Sequence, residues 1–182
     1  MRAVFLDRDG VINKYPGDTK YVTSLKGFCF LPGSRKGLAL LYKAGYSIFV
    51  ISNQAGVGKG VYSQATLDAI TKHMLVAVRK AGADIAEVNY CTHKPDANCG
   101  CRKPRAGMIL RVKQRHKVIN LKKTYFIGDT IRDVLTAEDA GCKSILVLSG
   151  KEKLRNKKTW ESQPHFVFKD LLAAARFIIR QK

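Results

Sequence analysis

The sequence predicts an α/β fold with a mostly parallel sheet and helices on both faces. Two observations predict it. Short apolar runs rich in β-branched residues alternate with segments of helical periodicity along the chain. These runs are nearly continuous in hydrophobicity, which is typical of strands buried on both faces of a sheet. Strands that alternate with helices pair in parallel through right-handed crossovers, so the helices cover both faces.

The first strand is predicted at RAVFLD (2–7), an apolar run that ends in polar residues. The segment YSIFVISN (46–53) repeats this pattern, and later runs have the same character. The predicted strands are 2–7, 46–53, 87–93, 124–130, 143–150 and 165–170.

Segments of helical periodicity separate these strands. Ser34 and Ser63 are predicted N-caps, because a hydroxyl there can accept a hydrogen bond from the first helical turn. Gly45, Gly82 and Gly141 are predicted helix stops, because glycine readily adopts the left-handed conformation that ends a helix. The predicted helices are 34–44, 63–81, 107–116, 131–140 and 169–180.

The length and composition predict one domain that spans residues 1–182, because 182 residues suffice for one well-packed domain and are few for two. The 46% hydrophobic content is typical of globular proteins, and no stretch approaches the ~18 unbroken apolar residues of a membrane helix. The first residues reach Asp7 without the apolar core of a secretory signal. We therefore expect a cytoplasmic, monomeric protein without a membrane partner.

The charge is strongly basic, with 33 basic and 14 acidic residues and a net charge of +19. This excess favours anionic partners, whether phosphorylated metabolites, nucleic acid or membrane surfaces. A general basic bias without a function explains it equally well. The chain has no RNA-recognition motif, and its aromatic residues do not interleave with its basic runs, so nucleic acid is not the expected partner.

Several predicted strands end in polar side chains that can bind or react. In open parallel sheets, ligands bind outside the carboxyl ends of the strands, so these side chains are expected to converge on one edge. They are Asp7 and Asp9 after the first strand, Ser52 and Asn53 after the second, Cys91 and His93 after the third, and Asp129 after the fourth.

The aspartates of this edge occur in two patterns, Asp-x-Asp-Gly and Gly-Asp-x-x-x-Asp, and each follows an apolar strand. Any one aspartate alone is explained by an Asx turn or a helix cap. Carboxylates that lie close together repel unless a cation lies between them, and their oxygens suit Mg²⁺. The two patterns together favour a magnesium site that includes Asp7, Asp9 and Asp129.

The segment CTHKPDANCGCRKP (91–104) contains a cluster of soft ligands in the pattern C-x-H-x5-C-x-C. Thiolates and an imidazole in a set of four suit Zn²⁺, and a full set leaves no open position, so a structural zinc loop is predicted at 91–101. A disulfide is disfavoured in a reducing compartment, and a catalytic cysteine needs no further soft ligands. The zinc would stiffen the loop directly before Arg102 and Lys103. The predicted ligands are Cys91, His93, Cys99 and Cys101.

Four segments of the chain resemble, in order, the motifs of the haloacid dehalogenase superfamily of phosphohydrolases. FLDRDGVIN (5–13) is similar to the first motif, ISN (51–53) to the second, Lys103 to the lysine of the third and GDTIRD (128–133) to the fourth. The resemblance implies a Rossmann-like fold without a large cap domain, and a magnesium-dependent phosphatase.

The resemblance also implies a role for each motif aspartate. Asp7 would attack phosphorus and become an aspartyl-phosphate. Asp9 would be the general acid for the leaving oxygen and then the base for water. Asp7, the backbone carbonyl of Asp9, and Asp129 would hold the Mg²⁺ ion.

Further residues are expected around the phosphate. By the same resemblance, Ser52 donates a hydrogen bond to the phosphoryl oxygens and Lys103 offsets their charge in the transition state. Asp133 is expected to orient Asp129 or Lys103. The residues expected to contact the substrate are Tyr15, Pro16, Gly17, Asp18, Ser52, Asn53, Gln54, Ala55, Arg102 and Lys103.

A zinc loop followed by Cys-Arg-Lys-Pro resembles two branches of the superfamily, the heptose-bisphosphate and the histidinol-phosphate phosphatases. RKPRAGM (102–108) and SNQAGVGKGVYS (52–63) are similar to the heptose branch, with Ala106 where proline is usual. The expected substrate is a phosphorylated sugar, D-glycero-D-manno-heptose 1,7-bisphosphate, dephosphorylated at C7 for lipopolysaccharide core, and Arg102 would bind its remote phosphate. Histidinol phosphate is the alternative substrate. A nucleic-acid 3′-phosphatase or an RNA-binding module is the alternative of another class.

Overall fold

The sheet consists of six parallel strands in a computed structural model that describes residues 1–181. The strands are β1 (Arg2–Leu6), β2 (Tyr46–Asn53), β3 (Glu87–Cys91), β4 (Tyr125–Gly128), β5 (Lys143–Val147) and β6 (Phe166–Phe168). Their order across the sheet is β3-β2-β1-β4-β5-β6, and every neighbouring pair is parallel. Each predicted strand is present, and the predicted parallel sheet is confirmed.

All five predicted helices are present, and the last of them follows β6. The helices are α1 (Ser34–Lys43), α2 (Ala55–Gly58), α3 (Gln64–Lys80), α4 (Gly107–Arg115), α5 (Ile131–Ala140) and α6 (Leu171–Arg180). Short 3₁₀ turns cover Pro95–Ala97, Leu121–Lys123 and Leu154–Thr159. The sequence did not predict α2 or the 3₁₀ turns, because each is too short to produce a recognisable apolar period.

Two apolar layers cover the faces of the sheet. Successive side chains of a strand point to opposite faces, so β1 supplies both layers. Leu6 is fully buried in the layer that includes side chains of α1, α3 and α6. Its neighbour Phe5 is fully buried in the other layer, with side chains of α4 and α5. Helices on both faces explain why the central strands read as continuous apolar runs.

The predicted helix caps have different outcomes. Ser63 is a cap, since its backbone is extended and its hydroxyl accepts a hydrogen bond from the Thr66 amide at 3.1 Å. The prediction for Ser34 is wrong, because the cap of α1 is Gly33, which has a left-handed φ of 77°. A Cβ at Gly33 would lie 3.1 Å from a carbon of Leu172, so close packing against α6 favours glycine there. Ser34 is then the first helical residue and is buried.

The connection from residue 7 to residue 33 packs against the main core rather than forming a separate body. Its apolar residues Val11, Ile12, Val22 and Phe28 are buried in the layer that contains α1. No part of residues 1–181 therefore forms a large cap domain, as the sequence predicts. No helix within these residues is both long enough and apolar enough to cross a bilayer.

Candidate active site

A cavity of about 420 Å³ opens at the carboxyl ends of β1, β2 and β4. The sequence-predicted residues meet there, as expected for the edge of a parallel sheet. The predicted residues that line the cavity are Asp7, Asp9, Tyr15, Pro16, Gly17, Asp18, Ser52, Asn53, Ala55, Arg102, Lys103 and Asp129. Of the residues predicted to act in catalysis or contact the substrate, Gln54 and Asp133 do not line it, and both are buried.

Three carboxylates and one ammonium group cluster at the base of the cavity, where Asp7, Asp129 and Lys103 line it and Asp133 is buried beside them. Asp7, Asp129 and Asp133 each place a carboxylate oxygen within 4.8 Å of the others. The Lys103 Nζ atom lies 2.8 Å from Asp7 Oδ2 and donates to Asp133 Oδ1 at 2.6 Å. Asp133 also accepts hydrogen bonds from the Thr130 amide and hydroxyl through its second oxygen. Asp133 is thus held by the first turn of α5 and, of its two predicted targets, it contacts Lys103.

The burial of these groups changes their proton affinities. Desolvation raises the pKa of Asp7 to about 6, although Lys103 partly offsets it. The pKa of Asp129 is also raised well above its usual value, by burial and then by repulsion from Asp133 and Asp7. Burial alone would lower the pKa of Lys103, but Asp133 and Asp7 outweigh it and the pKa is raised. The lysine therefore stays charged while the carboxylates carry excess negative charge.

The excess of negative charge in this cluster indicates that its residues fit a divalent cation. Three buried carboxylates face a single buried ammonium group, and a cluster of that kind is costly unless protons or a cation neutralise it. Hard oxygen ligands at one edge are the donor set that Mg²⁺ prefers. Asp7 and Asp129 therefore fit a magnesium ion between them.

The backbone around Asp129 leaves no room for another side chain. A Cβ at Gly150 would lie 1.9 Å from Asp129 Oδ2, and one at Gly10 would lie 2.1 Å from the same atom. The Lys151 amide donates a hydrogen bond to that oxygen at 2.7 Å. Sequence reasoning missed this cradle, although a Ser-Gly pair after β5 at the active edge was an available signal.

Asn53 links the second motif to the third. Its side-chain oxygen accepts from the Lys103 amide at 3.1 Å, and its nitrogen donates to the Lys103 carbonyl at 3.2 Å. The two bonds fix the backbone of Lys103 against the end of β2. Asn53 therefore positions the lysine as well as lining the cavity.

The four predicted zinc ligands lie together. Their Sγ and Nδ1 atoms are separated by 3.3 to 3.7 Å, close to the roughly 3.8 Å expected between ligand atoms around a tetrahedral zinc. All of these cysteines are free, and their sulfurs are too far apart for the ~2.05 Å of a disulfide. The donor set and its spacing fit a closed zinc site.

Hydrogen bonds from Arg105 brace the loop 91–101, which the sequence did not reveal. Arg105 donates to the carbonyl oxygens of Asn98 and Cys99, at 2.6 and 3.0 Å. Asn98 has a left-handed φ of 48°, which turns its carbonyl toward the arginine. The loop that ends at Cys101 is thereby tied to the segment after Lys103.

The rim of the cavity is positively charged. Sequence reasoning predicted Arg102 there and missed the other cations, because they follow different elements of the chain. The rim also contains an acidic residue, Asp18. Its carboxylate accepts a hydrogen bond from the Tyr15 hydroxyl at 2.6 Å and forms an ion pair with Lys151 at 2.7 Å. A cationic rim around a carboxylate floor attracts an anionic group to the cavity. The further basic residues that line it are Lys20, Lys59, Arg132 and Lys151.

The chain is similar in sequence and in fold to known phosphatases. A family model described as HAD-hydrolase-like matches residues 100–174. The chain is 38% identical to the D-glycero-beta-D-manno-heptose-1,7-bisphosphate 7-phosphatase of Pseudomonas putida, over 98% of the chain and 100% of the relative. The enzyme of the same name from Neisseria meningitidis serogroup B is 34% identical, over 100% of the chain and 96% of the relative. The crystal structure of the D,D-heptose 1,7-bisphosphate phosphatase of B. bronchiseptica with magnesium and phosphate has a TM-score of 0.92, at 33% identity and full coverage of both chains.

Proposed function

Because this chain belongs to the haloacid dehalogenase superfamily, among its heptose-bisphosphate phosphatases, we propose that it removes the C7 phosphate of D-glycero-D-manno-heptose 1,7-bisphosphate. The observation that carries the proposal is the contact of Lys103 with both Asp7 and Asp133 at the floor of a cation-rimmed cavity. The Pseudomonas and Neisseria relatives are named for the beta anomer, which supports that anomer as the substrate. We also propose that residues 1–182 form a single phosphatase domain.

The metals of this site are part of the proposal. Asp7, the backbone carbonyl of Asp9, and Asp129 would hold Mg²⁺, which when bound neutralises charge between the nucleophile and the phosphate. The related structure from B. bronchiseptica is complexed with magnesium and phosphate, which supports this assignment. The cysteine and histidine cluster would hold a structural Zn²⁺, and its ligand spacing supports that role.

The residues of the chain then carry out two displacements. A carboxylate oxygen of Asp7 attacks phosphorus, the bond to the leaving oxygen breaks, and Asp9 gives that oxygen a proton. Water then attacks the aspartyl-phosphate while Asp9 takes a proton from it, which restores Asp7 and releases inorganic phosphate. Ser52 and Lys103 donate hydrogen bonds to the phosphoryl oxygens, where negative charge accumulates.

A panel of phosphate esters tests the substrate. With Mg²⁺ present, we expect the highest kcat/KM for the heptose bisphosphate, measured as phosphate release for both anomers, fructose bisphosphate and histidinol phosphate. A preference for histidinol phosphate by about tenfold, or ~1.4 kcal/mol, would contradict the substrate assignment and leave the reaction class intact. Activity that persists at high salt would separate the enzyme from a nucleic-acid binder, whose affinity falls steeply with salt.

Replacing Gly150 by alanine is expected to weaken magnesium binding. The new Cβ would lie 1.9 Å from Asp129 Oδ2, so Asp129 has to move. We expect the Mg²⁺ concentration for half-maximal activity to rise by at least ~10-fold, as for other residues that support metal ligands. Gly27→Ala is the matched control, because a Cβ there makes only ordinary contacts, the nearest at 3.5 Å, and Gly27 belongs neither to the cavity lining nor to a metal cluster. An unchanged magnesium requirement in Gly150→Ala would contradict the role of Asp129.

Magnesium affinity is expected to depend on pH. The pKa of Asp7 is about 6, so below that value a proton occupies the carboxylate and has to leave before a cation binds. Affinity should therefore fall as the pH falls, by about fourfold between pH 7.5 and 5.5 from Asp7 alone, and by more because the pKa of Asp129 is also raised. Calorimetry in two buffers of different ionisation enthalpy measures the dissociation constant and counts the protons released. Equal affinity at both pH values, with no proton released, would refute this competition.

A further inference from the structure

A fully buried arginine separates the two aspartates that follow β1. The Arg8 side chain has 0% exposed surface, whereas that of Asp9 retains 19%. Arg8 does not line the cavity, so it does not contact a bound phosphate. Burial alone would lower the pKa of the Arg8 guanidinium, but Asp9 outweighs this effect and the pKa is raised. Burying a charge is costly unless it is paired. The groups that pair with Arg8 therefore indicate what this side chain does.

The guanidinium of Arg8 is directed at the carboxylate of Asp9. Arg8 Nε and Nη2 donate to Asp9 Oδ1 at 3.2 and 3.0 Å, and Nη2 also reaches Oδ2 at 3.1 Å. Asn13 donates to Oδ1 at 2.8 Å, and Gln54 donates to Oδ2 at 2.9 Å. Both oxygens of Asp9 thus accept from donors on two elements, which fixes the direction of the carboxylate at the cavity wall.

Gln54 and Arg8 are themselves held in place. The Gln54 side-chain oxygen accepts from Arg8 Nη2 at 3.1 Å and from the Tyr62 hydroxyl at 2.7 Å. Because that oxygen faces two donors, the amide nitrogen of Gln54 has to face Asp9. The guanidinium carbon of Arg8 also lies 5.7 Å from the centre of the Tyr90 ring. The direction of Asp9 therefore depends on side chains of β3 and of the segment after β2.

We propose that Arg8 is a positioning residue, which together with Gln54 aims the Asp9 carboxylate at the leaving oxygen of the phosphate ester. The inference rests on the proposed function, since it assigns a role within that reaction. In that reaction the protonated carboxyl group of Asp9 gives its proton to the leaving oxygen as the phosphorus–oxygen bond breaks, and Asp9 is left as the carboxylate that pairs with Arg8. Without Arg8, the carboxylate loses the donor that contacts both of its oxygens and rotates away from this line.

The dependence of the rate on the leaving group distinguishes positioning from a merely structural role. An alkoxide leaving group needs a proton in the transition state, whereas 4-nitrophenolate leaves readily without one. General acid catalysis contributes roughly 10²- to 10⁴-fold where a proton is needed. A displaced Asp9 should therefore slow the cleavage of a sugar phosphate far more than that of 4-nitrophenyl phosphate.

The experiment measures kcat/KM of the magnesium-loaded enzyme for 4-nitrophenyl phosphate and for the best sugar phosphate of the substrate panel. This parameter reports the first phosphoryl transfer and not the later hydrolysis. We expect Arg8→Met to lose at least ~100-fold on the sugar phosphate and less than about a tenth as much on the aryl ester. Arg8→Lys, which keeps a cationic donor, should recover part of the loss on the sugar phosphate.

Two further variants keep the result decisive. Gln54→Met removes the donor to Asp9 Oδ2 and should show the same selective loss to a smaller extent, so it tests the inference if Arg8→Met does not fold. Arg115→Met is the control, because Arg115 pairs with Glu87 on the surface and should change neither rate. Equal losses on both esters would overturn the positioning role while leaving the phosphatase intact. A wild-type enzyme that cleaves neither ester would overturn the proposed function, and the positioning role with it.

Discussion

Replacing Asp7 by asparagine is expected to abolish turnover, with a loss on the order of 10⁴-fold or more, as for other nucleophiles that act within a catalytic unit. Asparagine keeps the size of the side chain but cannot form the aspartyl-phosphate. It also removes a negative charge from a buried cluster that repels itself, so the variant should fold at least as well as the parent. The measurement is the release of phosphate from the sugar bisphosphate, together with a thermal unfolding curve.

The matched control for this variant is Asp68→Asn on α3. Asp68 is exposed and, within residues 1–181, its carboxylate accepts only from Gln64, four residues earlier, so its replacement should leave the rate unchanged. Mass spectrometry has to exclude deamidation of the introduced asparagine back to aspartate. Measurable turnover by the intact Asp7→Asn protein would remove the covalent mechanism, even if the fold and the cavity stayed the same.

The fold could be predicted because its signals are local and repeat along the chain. Phe5 aligns with Phe49 on β2 and with Phe126 on β4. All three lie in one buried layer, so each strand reads as an apolar run whatever its neighbours are. The prediction for Ser34 was wrong because the packing of Gly33 on α6, more than a hundred residues away, set the start of the helix. A serine at a helix start is a local signal in the sequence. The packing of Gly33 against Leu172 is a long-range contact that the local sequence does not reveal.

The residues of the candidate site also fall into two groups, those that a local motif reveals and those that depend on contacts distant in the sequence. Asp7, Lys103 and Asp129 could be identified because each belongs to a motif at the end of a strand. Arg8 could not, because an arginine between two aspartates reads as a solvated residue. It is buried and donates a hydrogen bond to Gln54, which is 46 residues away in the sequence. Gln54 was expected to contact the substrate, but it holds Asp9 and lies behind the wall of the cavity.

We expect the cation rim and the loop 91–101 to affect different steps. Cations at the rim would attract a phosphorylated sugar at long range, an effect that falls as salt rises. The loop would act at short range, because it ends directly before Arg102 and Lys103. Catalysis is sensitive to that placement, since a shift of ~1 Å in a reacting group can cost ~100-fold in rate. Loss of the loop should therefore affect the rate more than the loss of any single cation at the rim.

Replacing Cys101 by serine is expected to remove the zinc and most of the activity. Cys101 is buried, and its sulfur lies 3.4 Å from that of Cys91 and 3.3 Å from His93 Nδ1, so the substitution removes one of the four ligands of the cluster. The loop from 94 to 98 has few apolar residues and no strand partner, so without the metal it would be held mainly by the hydrogen bonds from Arg105. We expect the zinc content to fall from one ion per chain toward zero, and kcat to fall about 100-fold through the misplacement of Lys103.

The control for Cys101→Ser is Cys142→Ser, since Cys142 is also buried but lies outside the metal cluster. That variant should keep its zinc and nearly all of its activity, although burying a hydroxyl in place of the thiol costs some stability. Elemental analysis gives the zinc content, and the rate is measured at saturating magnesium. Lys103 is also held by hydrogen bonds with Asn53 and Asp133. The result therefore shows whether the zinc loop or these two side chains determine the position of Lys103. A zinc-free Cys101→Ser protein with full activity would mean that these two side chains suffice, and that the zinc loop has no part in positioning the lysine.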